Sequence, residues 1–105
     1  MARIRLLEDD AEQREIRTLV LEARGHRVVE EGEDVLLMDL RMPTAEDGRR
    51  IIREHCGKVP VIVLTGYAAD LRGRPEEQLV AALLEKPCPA GKLLRAVEAC
   101  CSKSK

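Results

Sequence analysis

Aromatic residues are almost missing from this sequence: Trp and Phe are absent, and Tyr67 is the one Tyr among 105 residues. A core built from it must be aliphatic, and platforms on which nucleic-acid bases stack are lacking. No apolar run approaches the ~20 residues that cross a bilayer, and the N-terminus has no long apolar stretch of the secretory kind. A cytoplasmic protein with no membrane contact is expected. The net charge of -1 comes from 18 basic and 19 acidic side chains spread along the chain, without the one-sided excess of a DNA-binding surface. The four cysteines, Cys56, Cys88, Cys100 and Cys101, lack the paired CxxC spacing of a zinc site and are expected as free thiols in or near the core. No repeat, low-complexity tract or linker divides the chain, so residues 1–105 are expected to form one domain, with no room for a separate output domain.

What the sequence has is an alternation of apolar runs and helical patterns. Ile4, Leu6 and Leu7 form a short run that stops at Glu8, Asp9 and Asp10, as a buried strand stops at the sheet edge. From Ala11 to Arg24, Ile16, Leu19, Val20 and Ala23 recur at helical spacing, and Gly25 follows where a left-handed C-cap sits. Val28 and Val29 suggest a short second strand, and Val35 to Met38 a third that ends at Asp39. Asp47 can cap a helix with Ile51 and Ile52 facing inward and Gly57 at its end. Val61 to Leu64 then give a fourth strand, closing at Thr65 and Gly66. Pro75 can open a short helix through Leu79, and Ala81 to Leu84 read as a fifth strand. Leu93, Leu94, Val97 and Cys101 stripe a last helix that frays into SKSK. Such alternation predicts a parallel sheet covered on both faces, with functional groups just beyond the carboxyl ends of its strands.

Glu8 and Asp9, Asp39, Thr65 and Lys86 follow strands one, three, four and five, and a parallel sheet brings them to one edge. Two carboxylates about 4 Å apart repel by roughly 4 kcal/mol at an effective dielectric near 20, so this cluster calls for a cation. Hard oxygen ligands, few from the protein, suit Mg²⁺ better than Ca²⁺. Asp39 can then act as a nucleophile that forms an aspartyl phosphate, with the Lys86 ammonium and Thr65 hydroxyl donating to phosphoryl oxygens and Gly66 allowing close backbone approach. Taken singly, each residue has a plainer use: an Asp at a strand end caps a helix, a Lys is solvated, a Thr starts a turn. Five residues of the required types at the required strand ends favour the chemical reading of the set.

The strings LEDD, LLMDLRMP, VPVIVLTGY and LLEKP, in that order, resemble the response-regulator receiver domains of two-component signalling, the CheY-like family, across nearly the whole chain. The resemblance implies a flavodoxin-like α/β fold with strand order 2-1-3-4-5. It also implies that Glu8 and Asp9 are the acidic pair, Asp39 the phosphoacceptor, Thr65 the switch hydroxyl and Lys86 the family lysine. Arg41 would lend its backbone carbonyl to Mg²⁺, Met42 and Pro43 match the turn after the phosphoacceptor, and the Lys86–Pro87 bond is expected cis. Implied partners are a histidine kinase or a histidine phosphotransfer protein, and a receiver is no enzyme beyond its own phosphorylation and dephosphorylation.

The sequence departs from the family in two ways. Leu83 stands where most receivers carry a Tyr or Phe that rotates on activation, with Tyr67 as a candidate substitute. Only Glu30 to Asp34 separate strands two and three, where the family has a full helix. Five extended residues reach some 17 Å, so either strand two is vestigial and the link runs extended across the sheet face, or the edge is rebuilt by pairing or swapping with another chain. Arg5 within strand one fits an uncovered face, and a bare apolar face would favour a homodimer. The competing readings are a degenerate receiver serving as an interaction module, a phosphatase with an aspartate nucleophile, and a flavodoxin-like cofactor binder. A phosphatase of the haloacid-dehalogenase type wants Asp where Arg41 stands, and the acids after strand one would repel a cofactor phosphate.

Overall fold

Each apolar run becomes a strand because its residues leave water on one or both faces of a single sheet. The computed structural model describes residues 2–103, with side chains described over 2–101. The strands are β1 (Arg3–Leu7), β2 (Arg27–Val29), β3 (Val35–Met38), β4 (Val61–Thr65) and β5 (Ala82–Glu85). All pairings are parallel and the order is β2-β1-β3-β4-β5, the flavodoxin-like order. The helices are α1 (Ala11–Ala23), α2 (Ala45–His55) and α3 (Ala90–Lys103), with two short 3-10 helices, Ala68–Asp70 and Pro75–Leu79, between β4 and β5. Helix α3 runs into the SKSK segment as far as Lys103; residues 104–105, where fraying is expected, lie outside the described residues.

The central strands β3 and β4 are buried at every residue because helices cover both faces. Leu37, Ile62 and Leu64 point to one side, packing with Leu21 of α1 and Leu93, Leu94 and Val97 of α3. Leu36, Met38, Val61 and Val63 point to the other, against Ile52 of α2 and Leu71. Each fully buried side chain of this kind stabilises the fold by about 1.5–3 kcal/mol. Gly48 of α2 sits against the Leu40 carbonyl so closely that an added Cβ would lie 1.6 Å from that oxygen.

Several local expectations are corrected. Helix α1 is rotated from its predicted phase: Ile16, Leu19 and Ala23 face solvent, Val20 is half-buried, and the buried positions are Arg17 and Leu21. The reason lies at its middle, where Arg17 turns inward to reach Glu8. Thr44, not Asp47, caps α2; its hydroxyl accepts the Asp47 N–H at 3.1 Å and donates to the Asp47 carboxylate at 2.6 Å. Strand β5 lies one residue later than predicted, and in α3 Cys100 is more buried than Cys101. The C-cap at Gly25 is as expected, with φ +90° and the paired bonds Gly25 N–H to Glu22 O and His26 N–H to Leu21 O.

The missing helix is accommodated by strand register. Val29 lies level with Arg5, and Val35 level with Ile4, so residues 30–34 step back by a single residue while passing from one side of β1 to the other. Two strand spacings are about 10 Å, well within the roughly 17 Å that five residues can reach. The link therefore crosses the sheet face as a series of bends with Gly32 at φ +74°, not as extended chain, and β2 keeps a three-residue parallel pairing rather than being vestigial. Asp34 anchors it: its carboxylate accepts the Arg3 N–H at 2.9 Å, and its own N–H donates to the Arg3 carbonyl at 2.7 Å. That Arg3 N–H holds the Asp34 carboxyl below the ordinary carboxylate range. Over β1 and β2 this face carries Arg3, Arg5 and Arg27 together with the half-buried Leu7 and Val29, and the link acids Glu33 and Asp34 pair with Arg5 and Arg3.

Candidate functional site

Strand ends bring the predicted residues to one edge, and the deciding contact spans 47 residues of sequence. Lys86, directly after β5, donates from Nζ to Asp39 Oδ2 at 2.8 Å, and the same Nζ lies 3.6 Å from Glu8 Oε1. Asp39 follows β3, and its own N–H donates to the Leu7 carbonyl at the end of β1. The Lys86 N–H donates to the Thr65 carbonyl at 2.9 Å, tying the β5 end to the β4 end. The Lys86–Pro87 bond is cis, as is Met42–Pro43. No family model matches the sequence, and no curated protein matches it. Solved structures do match over nearly the whole chain. A CheY-like receiver domain from Methanospirillum hungatei JF-1 superposes with TM-score 0.84 at 21% identity, covering 98% of this chain and 95% of that one. A receiver domain from Clostridium thermocellum gives TM-score 0.83 at 22% identity, covering 99% and 97%. The non-phosphorylated HemR receiver domain from Leptospira biflexa gives 0.78 at 27% identity, covering 97% and 95%.

The chain has the response-regulator receiver fold.

Within that receiver fold the individual side chains are not equally placed. Asp39 is mostly buried, with Oδ2 taken by Lys86 and Oδ1 receiving only a long 3.4 Å contact from the Arg41 N–H. Thr65 is fully buried, and its hydroxyl oxygen accepts the Tyr67 N–H at 3.0 Å, leaving the hydroxyl proton to donate elsewhere. Asp9 is exposed, with no hydrogen bond or ion pair among the described residues. Gly66 is exposed, and a Cβ there would meet nothing within 4 Å, so no close approach of protein atoms requires it.

Glu8 is the most enclosed of the three acids. Its side chain is only 5% exposed and its Oε1 is paired with the Arg17 guanidinium, while Oε2 accepts the Asp10 N–H at 3.2 Å. Arg17 also donates to Gln13 Oε1 at 3.1 Å, one turn earlier on α1. Among the described residues no group of three His, Cys, Asp or Glu side chains is gathered as a metal site. The oxygens that remain for a hard cation are those of Asp9 and Asp39 and the Arg41 carbonyl. Such a donor set, completed by water and phosphoryl oxygens, suits Mg²⁺, whereas Glu8 is already satisfied by cations of the protein.

Two features escaped sequence reasoning. Arg17 reads as a polar interruption of a helix stripe, and only the position of Glu8 explains its burial. Arg41 lays its guanidinium 3.5 Å over the Tyr67 ring and donates from Nε to Asp70 at 2.9 Å. It thereby clasps the loop after Asp39 to the loop after Thr65. Leu83 is half-buried against the Leu36 cluster, and Tyr67, the sole aromatic, is 54% exposed.

Proposed function

We propose that this chain is a phosphoacceptor receiver of a two-component phosphorelay, taking a phosphoryl group onto Asp39 from a histidine kinase or a histidine phosphotransfer protein. The observation that carries this reading is the 2.8 Å bond from Lys86 to Asp39 at the carboxyl edge of a receiver-fold sheet. Asp39 Oδ1, the freer oxygen, attacks phosphorus; a P–O bond forms as the P–N bond to the donor imidazole breaks, and that ring leaves with the electron pair. Lys86 and the Thr65 hydroxyl donate to the phosphoryl oxygens where charge collects. Asp9, Asp39 and the Arg41 carbonyl would hold Mg²⁺, which supplies further neutralisation of phosphoryl charge. Turnover is limited to the chain's own phosphorylation and dephosphorylation, and the setting is cytoplasmic; no helix among the described residues is long and apolar enough to cross a membrane.

Incubation with a small phosphodonor and Mg²⁺ followed by intact mass tests the reading. One phosphoryl adduct on the native chain and none on Asp39→Asn is expected. An adduct that survives Asp39→Asn, or none on either chain, would favour a receiver-fold module that only docks partners.

A further inference from the structure

We infer that this chain carries a second binding site, for a free aliphatic amino acid, in a cleft where the short β2 leaves the sheet edge open. Strand β2 ends at Val29, level with Arg5, while β1 runs on through Leu6 and Leu7 with no strand partner on that side. No helix follows β2 to cover the gap. Arg14 of α1 takes the missing strand's part, its Nη1 donating to the Leu6 carbonyl at 2.5 Å. A cleft of about 270 Å³ remains, lined by Arg5, Leu6, Leu7, Arg14, Val29 and Glu30. That is just below the roughly 300–1,000 Å³ of sites that take drug-sized ligands, so its ligand is small. None of Asp9, Asp39, Thr65 and Lys86 lines it, and the inference stands whether or not Asp39 is phosphorylated.

The lining carries charges of both signs over an apolar floor. Arg5, Leu7 and Val29 alternate onto the same face of the sheet, and Leu7 and Val29 are half-buried there. Among the described residues the Arg14 guanidinium makes one hydrogen bond and that of Arg5 none, its nearest acid being Glu33 at 3.8 Å. Each guanidinium has five N–H donors in a planar fork that matches a carboxylate, so both keep donors for one. Glu30 at the rim is exposed, with no hydrogen bond or ion pair among the described residues. Two cations and one free acid around aliphatic side chains match a zwitterion with an apolar side chain. Its α-carboxylate meets Arg5 and Arg14, its α-ammonium meets Glu30, and its side chain lies on Leu7 and Val29. A simple anion would be repelled by Glu30, and a simple amine by the two guanidiniums.

Leucine, titrated into the isotope-labelled full chain and followed by amide NMR shifts, tests this. Saturable shifts are expected around Leu6, Leu7, Val29 and Glu30, with a Kd of about 1 mM, as suits a small ligand on an open site. 4-Methylpentanoate, which lacks the ammonium, and isoamylamine, which lacks the carboxylate, are expected to bind at least about tenfold more weakly than leucine. Leucine itself is expected to lose about the same factor on Arg5→Gln and on Glu30→Gln, two side chains that do not hold the strand edge as Arg14 does. No saturation at about ten times the expected Kd, or saturable shifts centred elsewhere, would overturn the inference. So would either analogue binding as tightly as leucine, or native affinity in either folded variant. Should a variant fail to fold, the two analogues decide alone. The Asp39 chemistry is read separately, by the phosphoryl adduct.

Discussion

Lys86 shows how little of a side chain's role is intrinsic to it. In sequence it is one of 18 basic residues; in the fold its ammonium is held between Asp39 and Glu8 by the turn that follows β5. On the proposed phosphoacceptor reading, replacing it with Ala removes a donor to the phosphoryl oxygens and should slow adduct formation from a small phosphodonor by about 10²-fold, read from the mass time course. A native rate would remove Lys86 from the chemistry. Asp39 and Lys86 were legible in the sequence because an apolar run that ends on a charge announces a strand end. Arg17 was not, because Ile16, Leu19, Val20 and Ala23 offer a regular apolar stripe and nothing local says the helix turns away from it. At the same scale, Gly48 has no room for a methyl group beside the Leu40 carbonyl. Gly48→Ala is therefore expected to lose about 3 kcal/mol or more of stability in urea denaturation, and a loss under about 1 kcal/mol would show that α2 can shift freely.

Elements are joined here by carboxylates whose acidity the fold has increased. The Arg3 N–H lowers the Asp34 carboxyl and fixes the β2–β3 link; the Thr44 hydroxyl lowers that of Asp47 at the start of α2. The Arg53 guanidinium lowers that of Glu76, fastening α2 to the Pro75–Leu79 helix at 2.6 Å. A depressed value means that the folded chain takes up these protons less readily than the unfolded chain. Their stabilisation is complete above the ordinary carboxylate range of about 4 and fades as pH falls through and below it. Thermal melts between about pH 6 and pH 3 should show a falling midpoint, and Glu76→Gln should make that fall shallower. An unchanged slope would mean that the Arg53–Glu76 pair takes no part. The elements themselves were largely readable, since β3 and β4 are unbroken aliphatic runs buried on both faces. The Thr44 cap was passed over in favour of Asp47, although Thr-x-x-Asp is itself a capping pattern with both residues engaged. The link between β2 and β3 could not be read, because its feasibility depends on the one-residue register offset across β1, a property of pairing rather than of composition.

The whole molecule is a receiver fold economised at one edge, with a charged link in place of a helix between β2 and β3. Tyr67 is its only intrinsic fluorophore of the aromatic kind, and Arg41 lies on its ring, so its emission reports the clasp between the Asp39 and Thr65 loops. Phosphorylation adds nearly two negative charges beside that clasp and should change Tyr67 emission in the native chain but not in Asp39→Asn. The same change in both would place its cause elsewhere. The most direct test of the central claim is to locate the phosphoryl group itself. The chain, phosphorylated with a small donor and Mg²⁺, is reduced with borohydride, which converts an acyl phosphate on Asp into homoserine, and its peptides are sequenced by mass. Homoserine at position 39 and nowhere else is predicted; homoserine at another Asp, or phosphate retained on a histidine, would contradict the account.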